Sequence, residues 1–226
     1  MLRRRTGVAG AVLAAITLLT GCSHLISGTA TWPGARLEKS LLTAADFPAG
    51  VMYTRIIDHP GRPDNAGGPA PMLSIPAGCS DGLTDVIAKD AERGPGSAAK
   101  YSATYGGARI VMTVLTFPLD LDALAATASR CAKFDAYFDR NSIGIPITTV
   151  ELPARPGQLV YQQTMKLAGI DSSLFMSFEN VGQMAVFGLA FATPKFANPS
   201  QNMPKAELPQ TFLGVTDKQA QRIESG

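Results

Sequence analysis

Two stretches of this chain alternate, stop at a turn and run back. Ala98–Tyr105 and Arg109–Phe117 flank Gly106-Gly107, while Ser173–Glu179 and Gln183–Thr193 flank Asn180-Val181-Gly182. Successive side chains of a strand point to opposite faces, and a tight turn joins strands antiparallel. Val51–Ile57, Thr148–Leu152 and Leu159–Lys166 also read as strands. In Gln183–Thr193 both faces are apolar: Met184, Val186 and Ala190 on one, Phe187, Leu189 and Phe191 on the other. Arg109–Phe117 repeats this, with Ile110, Met112 and Val114 against Val111, Leu115 and Phe117. A sheet with one wet face would alternate apolar with polar. Both faces of these strands are therefore covered, either by the protein's own loops and helix or by a ligand or partner. In the second case Leu115, Phe117, Phe187, Leu189 and Phe191 are candidate walls of an apolar groove, with Tyr101 and Tyr105 on the adjoining strand.

Helical spacing appears between the strand pairs. From Asp120, a natural cap, the residues Leu124, Ala128, Cys131, Phe134 and Phe138 recur at intervals of three and four, which predicts a helix to about Arg140. Asp122 in its first turn suits the positive end of the helix dipole. A shorter helix is expected over Asp81–Ala91 and a weak one from about Asp217; Thr43-Ala-Ala-Asp46 caps one turn that Pro48 stops. Pro60–Pro71, with four prolines and three glycines, reads as a loop. The expected order is β-α-β-β-α-β-β-β-β. The fold class is α+β, a single antiparallel β-sheet with helices packed on one side and one disulfide.

The N-terminus points to export. Arg3, Arg4 and Arg5 precede an uncharged apolar run from Gly7 to Leu19. Spanning a membrane takes about 20 such residues, whereas a secretory signal needs about 7–15. Leu19-Thr20-Gly21-Cys22 then resembles the bacterial lipobox, in which the Cys thiol is acylated. An ordinary signal with a chance Cys is the alternative. Residues 1–21 are thus expected to be a lipoprotein signal peptide, 22–39 a tether and 40–226 a single extracytoplasmic domain. Each buried CH₂ of the acyl chains on Cys22 would contribute about 0.8 kcal/mol of anchoring. The whole chain has 20 Lys+Arg against 18 Asp+Glu, and three of the arginines lie in the signal. The mature domain is near neutral, which argues against a nucleic-acid partner.

Cys22, Cys79 and Cys131 are the three cysteines. With Cys22 acylated and the domain in an oxidising compartment, Cys79 and Cys131 have one possible pairing. Two free buried thiols are the alternative.

Catalytic patterns are absent or weak. Ser97-Ala-Ala-Lys100 matches S-x-x-K, but no K-T-G follows, and a strand would point Ser97 and Lys100 to opposite sides. His24 and His59 are the two histidines, so a Ser-His-Asp arrangement in the domain would have to recruit His59. A zinc site lacks ligands, and Asp120-Leu-Asp122 reads as helix capping. There is no phosphate-binding loop, dinucleotide fingerprint or glycosidase pair. No catalytic residue, metal or cofactor is expected.

The lipobox Leu19–Cys22, the Ser/Gly/Thr tether, the opening LLTAADFPAG at 41–50, the Cys after Pro76-Ala-Gly and the Cys on the following helix form a set. Together they resemble the small lipoproteins of mycobacteria and related actinobacteria. They are similar, too, to the extracytoplasmic sensor domain of the PknH-type receptor kinases. The resemblance implies an antiparallel sheet flanked by helices, stapled by a disulfide and without enzymatic residues; this chain has one cysteine pair where the kinase domain has two. The expected function is that of a lipid-anchored cell-envelope lipoprotein with a non-catalytic ligand-binding or sensor-like domain. Its expected partners are the membrane, through the acyl chains, and an apolar small molecule or an envelope protein. A protein–protein scaffolding module is the alternative, and a hydrolase the third reading.

Overall fold

The computed structural model describes residues 33–57, 72–85, 96–167, 169–193 and 206–226. All of them belong to one compact unit, Thr31–Gly226. The signal segment, Cys22, both histidines and the Pro60–Pro71 loop lie outside the described residues.

The strands are β1 (Met52–Ile56), β2 (Leu73–Ile75), β3 (Ala98–Tyr105), β4 (Ala108–Leu115), β5 (Lys133–Tyr137), β6 (Ile145–Glu151), β7 (Gln158–Leu167), β8 (Ile170–Val181) and β9 (Met184–Ala192). They form one nine-stranded sheet in the order β1-β3-β4-β9-β8-β7-β6-β5-β2, and every neighbouring pair is antiparallel. The hairpin at Gly106-Gly107 forms as the alternation predicts, pairing Tyr105 with Ala108. Gly107 makes the reversal in the left-handed region, at φ 91°, where a side chain would be strained.

Of the expected Asp81–Ala91 helix, residues 82–85 are helical and 86–91 lie outside the described residues. Packed on the sheet are α1 (Pro33–Ser40), α2 (Leu121–Arg130) and α3 (Gln210–Glu224). They cover both faces rather than one. On the first face, Leu37 of α1 and Phe212, Val215 and Ile223 of α3 meet Tyr101, Ile110, Met112, Val114 and Val186. On the second, Leu124 and Ala128 of α2, with Leu83, Phe117 and Leu119, meet Val111, Leu115, Phe178, Phe187 and Leu189. This double cover is why the central strands are apolar on both sides. It also moves the start of the packed domain: residues 33–39, read as tether, are helical, and Leu37 is buried.

The helix from Asp120 begins as expected, with Asp120 Oδ1 accepting the Ala123 N–H at 2.9 Å, but it ends at Arg130 instead of near Arg140. Lys133–Tyr137 is a strand, and there Phe134 and Ala136 turn inward while Lys133 and Asp135 face out. Phe134 and Phe138 fit a helical interval, but Phe134 and Ala136 equally fit a period of two. Pairing with β6, Phe134 opposite Ile147, decides between them. The Cys79–Cys131 disulfide, with Cα atoms 5.4 Å apart, holds this turn. It packs with Phe134, Ala136, Ile145 and Ile147 in a third apolar cluster.

The C-terminal helix starts at Gln210, earlier than the weak pattern from Asp217 indicated. Its buried stripe is Phe212, Val215, Thr216, Gln219, Ala220 and Ile223. The spacing is helical, but two polar residues interrupt it. Gln219 is there to satisfy backbone: its Nε2 donates to Ser40 O at 2.7 Å, and its Oε1 accepts the Leu42 N–H at 3.2 Å. Gln219→Leu keeps the bulk and strands both groups. It is expected to cost about 2 kcal/mol of unfolding free energy in urea titration, and a loss below measurement error would show that the clamp contributes nothing.

Candidate functional site

The residues nominated as groove walls do not line one groove. Leu115, Phe117, Phe187 and Leu189 come together beneath α2 as core, and Phe187 stacks on Phe178 with ring centroids 5.1 Å apart. Phe191 continues this face, half-buried, opposite Leu174 and Arg109. Tyr101 and Tyr105 point to the other face. Tyr101 sits opposite Met112, one residue out of phase with Val111 and Leu115. It stacks on Tyr53 at 5.4 Å, beside Phe47. Burial pushes its phenol far above the usual range, and its hydroxyl has no hydrogen-bond partner. The cover over the central strands is thus the protein's own helices and loops.

The surface left open is elsewhere. α1 and α3 cover the first face over β1, β3, β4, β9 and β8. The same face continues over β7, β6, β5 and β2, because Ala190, Phe175, Gln162 and Val150 lie opposite one another in register. There the side chains meet water: Val150 is 55% exposed, Leu73 50% and Ile75 66%. A shallow trough of about 410 Å³ runs along it, lined by Ile75, Lys133, Asp135, Pro146, Thr148, Thr164, Lys166 and Asp171.

The trough mixes apolar floor with charged rim. Lys166 Nζ lies 3.8 Å from Asp171 Oδ1, an exposed pair of the kind that contributes little. Thr148 donates to the Thr164 carbonyl at 3.5 Å, and Gln162 Nε2 to Ser173 Oγ at 3.0 Å. These groups can hold a ligand by hydrogen bonds, charge and apolar contact. They contain no nucleophile with a base beside it, and among the described residues no cluster of His, Cys, Asp and Glu has metal-binding geometry. Ser97 is buried at the start of β3 and Lys100 lies within that strand. His59 lies outside the described residues. No helix among the described residues is long and apolar enough to cross a membrane.

The sequence hides this surface because the intervals of three and four that run from Leu124 to Phe138 predict helix where β5 forms. The signal was present: Lys133-Phe134-Asp135-Ala136-Tyr137 alternates, and so do Pro146, Thr148 and Val150 against Ile145, Ile147 and Thr149.

No protein-family model matches the chain, and no curated protein matches it. Among solved structures, the extracellular domain of PknH from Mycobacterium tuberculosis is similar, with a TM-score of 0.52 at 11% identity, covering 84% of this chain and 96% of that one. An uncharacterized protein from Mycobacterium smegmatis, the Rv0999 ortholog, aligns with a TM-score of 0.41 at 16% identity over 84% of this chain and 95% of that one. The chain thus has a fold similar to that of the PknH extracellular domain, the family whose sensor domain its motifs resemble.

Proposed function

We propose that this chain is a lipid-anchored, extracytoplasmic binding domain of the sensor type, without catalytic residues, and that it meets its ligand on the open half of the sheet. The observation that carries the reading is that open half itself. Helices bury five strands on this face and leave the rest as an exposed trough of mixed chemistry. Support for export comes from the lipobox at Leu19–Cys22 and from the likeness to an extracellular domain. The disulfide fits an oxidising compartment.

Two experiments test it. Radiolabelled palmitate is expected to label the protein made in an actinobacterial host, and Cys22→Ala to abolish the label; label that survives the substitution contradicts anchoring. For binding, the immobilised domain is expected to retain a component of a cell-envelope extract, read by mass spectrometry. Ile75→Arg with Val150→Arg should lose that component without changing the melting temperature, since both side chains are exposed. Equal retention by the variant would place the contact elsewhere.

Exposed Leu73, Ile75, Phe138 and Ile143 favour a second reading, in which the occupant is an envelope protein. A photocrosslinker at position 75 distinguishes the two, because it traps one polypeptide under that reading and none under the first.

A further inference from the structure

The trough on the open half of the sheet carries a definite pattern of charge. β6 presents short side chains there, Pro146 and Thr148, between the longer Lys133 of β5 and Lys166 of β7. The depression therefore runs along β6 with a lysine on either side. Each side also carries a carboxylate. Asp135 lies two residues from Lys133 in β5, and Asp171 of β8 lies opposite Lys166. The four formal charges sum to zero.

The two sides differ in how far their charges are committed. Lys166 and Asp171 meet each other at 3.8 Å, both exposed, and such a pair contributes little and exchanges partners readily. Lys133 and Asp135 are exposed too, and among the described residues they have no ion pair and no side-chain hydrogen bond. In its row across the sheet Asp135 stands between Ile75 and Pro146, neither of which can answer its charge. Thr148 donates its hydroxyl proton to the Thr164 carbonyl. The Thr164 hydroxyl, on the neighbouring strand, makes no hydrogen bond among the described residues. An anion alone would meet two carboxylates here as well as two lysines, and a cation alone would meet both lysines. A molecule that carries both signs complements the whole site.

We propose that the trough, taken as the binding surface of the preceding reading, holds a short zwitterionic peptide: its carboxylate lies over Thr148 between Lys133 and Lys166, and its ammonium group meets Asp135. Lys166 exchanges its exposed contact with Asp171 for the ligand carboxylate, and the Thr164 hydroxyl donates to the same group. Asp135 lies one strand and two residues from Thr148, a separation of about 8 Å from strand spacings of about 4.8 Å and a rise of about 3.4 Å per residue. A dipeptide at about 3.5 Å per residue sets its two charged ends about 7 Å apart, which matches. Pro146 and Ile75 supply apolar contact for the side chain at the ammonium end. Recognition at both ends is by charge-assisted hydrogen bonds, the stronger kind, so each end of the ligand should matter separately.

The test is a chemical-shift titration of the isotope-labelled mature full chain with alanyl-alanine, N-acetyl-alanyl-alanine and alanyl-alanine amide. The free dipeptide is expected to move the amides of residues 133–135, 146–148 and 164–166. Each blocked form is expected to bind about tenfold more weakly, having lost one charged contact. Asp135→Asn should bind the free and acetylated forms alike. Lys133→Gln with Lys166→Gln should bind the free and amidated forms alike. No shift at millimolar dipeptide, equal binding of either blocked form by the wild type, or a variant that keeps the discrimination it should lose would overturn the proposal. Titration with cell-envelope extract separates it from the reading on which it rests. Extract shifts in the trough with the dipeptide silent would leave a binding surface whose ligand is not a zwitterion, and silence to both would remove both.

Discussion

Phe212→Ala is expected to lower the free energy of unfolding by about 3–5 kcal/mol, the largest effect of any single substitution considered. Phe212 is fully buried between α3 and the sheet. Its seat exists because residue 188 is glycine: a Cβ there would lie 2.7 Å from Phe212 Cε2 and 3.0 Å from Ser177 Oγ. Gly188→Ala should therefore cost about 1–3 kcal/mol by overpacking. The two changes touch the same space, so their effects should not add. In the Phe212→Ala background, the methyl at 188 fills part of the vacated volume and costs much less than it does alone. Strict additivity in a urea-denaturation cycle would mean that Phe212 does not rest on Gly188.

Removing the disulfide with Cys79→Ala and Cys131→Ala is expected to cost about 4 kcal/mol on the chain-entropy model, since the bridge closes a separation of 52 residues. For a domain of this size that corresponds to a melting temperature lower by about 10 °C. The loss should also be uneven. The bridge packs with the cluster of Phe134, Ala136, Ile145 and Ile147, and β2 is a three-residue strand that among the described residues pairs with β5 alone. Amide protection should fall first in β2 and β5 and last in β4 and β9. An unchanged melting temperature under reductant, with thiol alkylation confirming the reduced state, would contradict this.

The sequence made the sheet's centre legible and its margin obscure, for a physical reason. β3, β4, β8 and β9 are long and joined by tight turns, so local alternation and Gly/Asn chemistry suffice to define them. β5 is short, follows a helix directly and contains Phe134 at an interval compatible with either period; only its pairing with β6 and β2 decides its state. α3 hid for a different reason. Thr216 and Gln219 break its apolar stripe, and their value lies in partners, Gln158, Ser40 and Leu42, that are distant in the chain. The apolar second face implies cover but leaves open whether the protein's own loops and helix or a ligand provides it; Leu124 and Ala128 of α2 provide it. Tyr101 and Tyr105 belong to the opposite face from Leu115, because Tyr101 pairs with Met112, one residue out of phase. A helix over Lys133–Tyr137 hides the trough, because its lining comes from five strands, β2, β5, β6, β7 and β8, that meet only in the folded sheet.

Under the proposed function the open half of the sheet binds and the helix-covered half supports it, which two-dimensional amide spectra of the isotope-labelled domain, titrated with cell-envelope extract, can decide. Shifts are expected to be confined to residues 73–75, 133–137, 145–150 and 162–166, with α3 and β4 unmoved. Shifts centred on α2 or α3, with those segments silent, would contradict it.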